Sequence, residues 1–356
     1  MSILDLTRDD VRAAVARRDP PRIPTCLLKW FNAETHERYG AALDALCARY
    51  PDDMVSVGYA GPDWESLSAE GSTREGGIDS RRILRGYDDI EHVAARIRSF
   101  PAGLDFGPAR RAVAAANGRF RLGNSWFCLY ERLWTLRGME GILTDLHDHP
   151  AELELLTDAI ADFHVACVRQ FGQMGCDAVL TSDDLGTQSG LMMSPAAFRR
   201  VLKPRFARII DEAHRHGMTF WLHTCGNVAA ILDDFVEVGL DVIHPIQHST
   251  YPAGVSAMDP EATARRFGGR NTFLAGVDVQ YLLPLGSPDD VRAGVRRMID
   301  TFDGPHGGML IAAGNAIMPE TSLENIEACL DEAYRYGQHK RARRTPARLA
   351  RGELNA

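Results

Sequence analysis

From about residue 170 the chain repeats one unit: a short apolar run, a polar or glycine-bearing end, then a segment with a readable helix start. Five such runs are DAVLTSDD (177–184), TFWLHTCG (219–226), DVIHPIQ (241–247), TFLAGVDVQ (272–280) and GMLIAAGN (308–315). Their apolar and β-branched content fits strands covered on both faces, as in a parallel sheet. The helices between them announce themselves by capping chemistry. Ser194-Pro195 and Ser287-Pro288 each set a hydroxyl acceptor before a proline that lacks the N–H a first helical turn cannot use. Thr321 and Glu324 have capping-box spacing, Gly217 and Gly337 stand where helices should stop, and Pro204 should kink or divide the segment 195–216. Alternating strand and helix is the signature of an α/β fold.

The first half is less regular. DMVSVGYA (53–60) and RFRLGNSWF (119–127) read as strands, 152–174 as a long amphipathic helix, and the Gly, Ser, Asp and Arg-rich stretch 61–88 as an inserted loop. That makes seven strands, one short of a closed eight-fold barrel, with RIPTCLL (22–28) as a further candidate. No low-complexity linker divides the 356 residues, so the expectation is one domain over 1–338, with 1–50 a helical extension and the first barrel elements. Residues 339–356 form a basic C-terminal tail, read as solvated.

A net charge of −8 argues against a surface that tracks nucleic-acid phosphates. The N-terminal stretch lacks the apolar core of a secretory signal and no run reaches membrane-spanning length, so a cytoplasmic protein is expected. Seven scattered cysteines, free of any CxxC spacing, fit reduced thiols.

Chemistry in a barrel gathers at the C-terminal ends of its strands. Reactive side chains fall there: Asp183 and Asp184, His223 and Cys225, His244 and Gln247, Asp278 and Gln280, and Asn315. Strand residues two apart share a face, so His223 and Cys225 enter one pocket, and imidazole with thiolate suits Zn²⁺. Asp183 or Asp184 and Asn315 are the possible further partners, and of these only a carboxylate is a good additional ligand. The same aspartates also suit proton chemistry, so Asp183, Asp184 and His223 are the candidate catalytic residues. Lys29 and Trp30, behind RIPTCLL, are expected to floor the pocket, with Gln188, His244, Gln247, Asp278 and Asn315 binding substrate.

The segments TSDDLGTQSGLMMSP, FWLHTCGNV, DVIHPIQ, FLAGVDVQ and AAGNAIMPETSLENIEA, in consistent order across roughly residues 120 to 338, resemble the uroporphyrinogen decarboxylase superfamily. The resemblance implies a TIM-type (β/α)8 barrel. The decarboxylase's arginine-bearing N-terminal motif has no counterpart in LLKWFNAETHERYG, which directs the likeness toward the corrinoid-dependent methyltransferase branch. That branch implies zinc on a His-x-Cys pair, here His223 and Cys225. It also implies a corrinoid (cobalamin) cofactor carried by a partner protein, and homodimers. Its later cysteine is replaced by Asn315, which leaves a carboxylate such as Asp183 to compensate. The expected function is zinc-assisted methyl exchange, or demethylation, between a small methylated compound or thiol and a corrinoid. The alternatives are a metal-free lyase acting on a smaller carboxylic acid and a non-catalytic ligand-binding barrel.

Overall fold

The computed structural model describes residues 2–67, 82–248, 258–304 and 307–350. Seven strands, β1 (Met54–Val57), β2 (Phe120–Asn124), β3 (Ala178–Ser182), β4 (Thr219–His223), β5 (Val242–His244), β6 (Thr272–Val277) and β7 (Met309–Ala313), form one sheet in sequential order. Every pairing is parallel. These are the seven strands read from the sequence, and helices connect them as the capping signals require. Ser194 and Ser287 cap helices Pro195–Val201 and Pro288–Phe302 through Ala197 and Asp290. Pro204 divides its segment, a second helix beginning at Lys203.

The period of two along each strand separates two cores. Phe120, Leu122, Ala178, Leu180, Trp221, Val242, Leu274, Leu310 and Ala312 pack together inside the curve of the sheet, and Val11 and Val15 of helix Arg8–Val15 join them. Val179, Phe220, Leu222, Ile243, Phe273 and Ile311 face outward onto the helices. Arg8 and Arg12 hold the N-terminal helix in place through Asp177, just ahead of β3.

The eighth strand expected of a closed (β/α)8 barrel is not a regular strand among the described residues. RIPTCLL makes a single parallel bridge, Thr25 to Ile311, alongside β7. Pro21 and Pro24 explain this, because each removes a ladder donor. Toward β1, side chains replace the ladder: the backbone N and Oγ1 of Thr25 donate to Asp53 Oδ2 at 2.7 and 3.0 Å, and Arg22 grips both Asp53 oxygens at 2.6 and 3.0 Å.

Three other expectations are corrected. Gly337 does not end its helix, which runs Leu323–Ala350. It gives close approach instead, since a Cβ there would lie 3.4 Å from Ile23 Cβ. The basic tail begins inside that helix, and its Arg341 is buried, paired with Asp19 and Asp303. The cap is Ser322, whose hydroxyl accepts from Asn325 N, while Thr321 Oγ1 is buried without a hydrogen bond. In the inserted loop, Trp64–Leu67 is a 3₁₀ turn, and 68–81 lies outside the described residues. Among the described residues no helix is long and apolar enough to cross a membrane.

Candidate functional site

Strands β3 and β4 pair with Ser182 opposite His223, and β4 pairs with β5 with His223 opposite His244. All three lie on the inward parity set by Leu180, Trp221 and Val242. Continuing that parity two residues past the strand ends brings in Asp184 and Cys225. The result is a cluster of Asp184, His223 and Cys225 in which one ligand atom from each lies within 4.8 Å of the others. Cys225 Sγ is 3.3 Å from His223 Nε2, and Asp184 Oδ1 is 3.5 Å from the same nitrogen. Asp184 is anchored by accepting from Cys225 N at 2.7 Å.

Asp183, expected as the carboxylate ligand and a catalytic group, faces the other way. It is fully buried and accepts from the backbone N–H groups of Leu129, Tyr130 and Glu131 at 3.3, 3.0 and 2.7 Å, closing the start of helix Tyr130–Arg137. Burial pushes its carboxyl up to about 7 against the pull of those three donors. It is a cap sealed from the cavity, and Asp184 takes the position assigned to it.

His244 is likewise buried, behind His223 rather than lining the pocket. Its Nε2 stands 2.9 Å from the carbonyl of Ala313, and its Nδ1 is 2.6 Å from Nδ1 of His223. A carbonyl only accepts, so His244 Nε2 carries the proton. Burial in the barrel holds His223 down to about 4 and His244 well below its usual range, so both rings are neutral near pH 7. His244 Nδ1 therefore accepts, His223 Nδ1 donates, and the lone pair of His223 Nε2 is turned toward Cys225 and Asp184. Burial, reinforced by the Asp184 charge, raises the Cys225 thiol, and Asn315 Nδ2 is 3.4 Å from its sulfur.

Above the cluster lies a cavity of about 400 Å³ whose walls include Asp184, Gln188, Cys225, Gln247, Asp278 and Asn315. Asp278 is spent on structure, its carboxylate accepting from Gln280, Tyr281 and Leu282 N–H groups. The backbone there is tightly packed: Gly226 has φ +79°, and a Cβ on it would fall 2.3 Å from the backbone of Gly186. Lys29 does not reach this cavity. Its ammonium is held 2.8 Å from Asp52 and 2.8 Å from the carbonyl of Tyr50, in a separate cleft at the seam. Trp30 is not among the residues that line this cavity; it meets His223 edge-on, the ring centroids 5.7 Å apart.

Two neighbours escaped the sequence reading. Trp126, two residues beyond β2 and so on its inward parity, packs against Trp30 with the rings tilted by 37° and 5.5 Å apart, and meets His223 edge-on at 6.0 Å. The strand-end rule applied to β2 would have found it. Glu131 is buried beside Asp183, Asp184 and Ser182, with Oε2 lacking a hydrogen bond, and burial plus the two aspartate charges raises it to about 8. Nothing in the spacing of YERLW marks it.

Imidazole nitrogen with its lone pair exposed, a thiol and a carboxylate make a donor set that fits Zn²⁺, and three protein ligands leave a fourth position for a reactant. A structural comparison gives a methyltransferase from Methanosarcina mazei at TM-score 0.67 and 18% identity, covering 93% of this chain and 99% of that one, a likeness of fold. A B12-independent methionine synthase from Shewanella sp. W3-18-1 matches more distantly, at TM-score 0.46 and 12% identity over 67% of each chain. No curated protein matches the sequence. The sequence model of the uroporphyrinogen decarboxylase family matches residues 133–336, more than half the chain, and the protein belongs to that family.

Proposed function

We propose that the protein is a methyltransferase of this family, holding zinc on Asp184, His223 and Cys225 and exchanging a methyl group between a small methylated compound or thiol and a corrinoid carried by a partner protein. The convergence of those three ligand atoms within 4.8 Å carries the reading. A bound zinc ion supplies Lewis acidity, keeping a thiol ionised near neutral pH or stabilising the oxygen that leaves on demethylation. The chain's own groups do the rest. His244 fixes the tautomer of His223, Cys225 N holds Asp184 in place, and the indoles of Trp30 and Trp126 cover His223 against water. Decarboxylation of a substrate with many carboxylates is a poor fit, because no lysine or arginine is among the described residues lining the cavity.

Elemental analysis of the purified protein should give about one zinc per chain, and mixing with cob(I)alamin and a panel of methyl donors should yield methylcobalamin. Metal-free protein with full activity would overturn the reading. Substituting His244 with phenylalanine removes the acceptor that orients His223. Outer partners of this kind contribute roughly 10–100-fold in metal affinity, and chelator competition should show a loss of that size. Unchanged affinity would mean that the ring contact is packing alone.

A further inference from the structure

Resting on that reading of the cluster, we infer that the carboxamides of Gln247, Gln280 and Asn315 select a substrate that carries a carbonyl or carboxylate oxygen close to its reacting sulfur or methyl-bearing atom. The argument is one of amide orientation. Gln247 Oε1 accepts from Gly226 N at 2.6 Å, and Asn315 Oδ1 accepts from Ala316 N at 2.7 Å. Backbone N–H groups can only donate, so both side chains are fixed with their oxygens engaged and their NH₂ groups turned elsewhere. Gln247 Nε2 then donates to Gln280 Oε1 at 2.9 Å, which commits the third amide in the same sense. Asn315 Nδ2 reaches Cys225 Sγ, placing this donor set directly beside the cluster.

All three residues line the cavity above Cys225, and each has its oxygen occupied and amide hydrogens to give. The Asp184 carboxylate, itself accepting from Cys225 N, also lines the cavity. A ligand oxygen seated against the amides gains N–H donors. An ammonium in the same place sets hydrogen against hydrogen and leaves the amides unpaired, at a cost comparable to a lost buried hydrogen bond.

The test uses cobalt(II)-substituted full-length protein and two thiols of equal length, 3-mercaptopropionamide and 3-mercaptopropylamine, followed by the sulfur-to-cobalt absorption band. The amide thiol should bind about tenfold more tightly. Gln280→Met should weaken the preference and Gln280→Glu should reverse it, with cobalt content unchanged in both. Cobalt-loaded protein that binds the two thiols equally, prefers the amine, or keeps its preference in both variants overturns this inference alone. Protein that takes up no cobalt overturns the metal reading and this inference with it.

Discussion

Replacing Cys225 with serine is expected to lower zinc affinity by more than about 100-fold, beyond the range seen for an outer-sphere partner. The expectation follows from what surrounds the sulfur. Without a cation the thiol is disfavoured as an anion by burial and by the Asp184 charge, and its close contacts are His223 and an Asn315 amide. A thiol and a carboxylate side by side, with no lysine or arginine among the described cavity residues, form a place where a bound cation would offset the charge that ionising the thiol adds. Serine cannot ionise near neutral pH, so it removes both a ligand and the charge that draws the metal. Cys47→Ser, a half-buried thiol remote from the cluster, is the matched control and should retain its zinc. Chelator competition and elemental analysis after gel filtration read the outcome, and stoichiometric zinc in Cys225→Ser would sink the assignment.

Five of the strand positions, from residue 177 onward, are legible because a buried parallel strand is written as a largely apolar run. The site was legible only in part, and the failures have physical causes. The period of two that joined His223 to Cys225 also selects Asp184 over Asp183, since 178, 180, 182 and 184 share the inward face. The spacing alone does not reveal that a helix begins opposite Asp183 and captures it with three N–H groups. His244 lies on the correct face, in register with His223, but both its ring nitrogens are engaged, one by His223 and the other by the Ala313 carbonyl. Lys29 is the most instructive miss: a cation at a strand end was read as a pocket floor, but Asp52 lies in the neighbouring loop and neutralises it. The start of the basic tail differs for a related reason, as a run of charges conceals that Arg341 has buried partners.

The seam beside β1 should be the least forgiving structural feature. Asp53→Ala is expected to destabilise the protein by about 3–5 kcal/mol, the usual cost of removing one partner from a buried ion pair. Both side chains of the Arg22–Asp53 pair have 0% exposure, and Arg22 also donates to the carbonyls of Leu4 and Ile23 and lies over the Tyr334 ring. Taking away the carboxylate leaves a guanidinium buried with carbonyls alone, strips Thr25 of two hydrogen bonds, and releases the link that stands where a strand ladder is missing. Asp52→Ala, one residue away, is the internal contrast. Asp52 is 63% exposed in its pair with Lys29, and its loss should cost no more than about 1 kcal/mol. Urea unfolding of the two variants separates the cases: similar midpoints would show that the seam is held by the packing of Ile23 and Leu28 rather than by the buried charges.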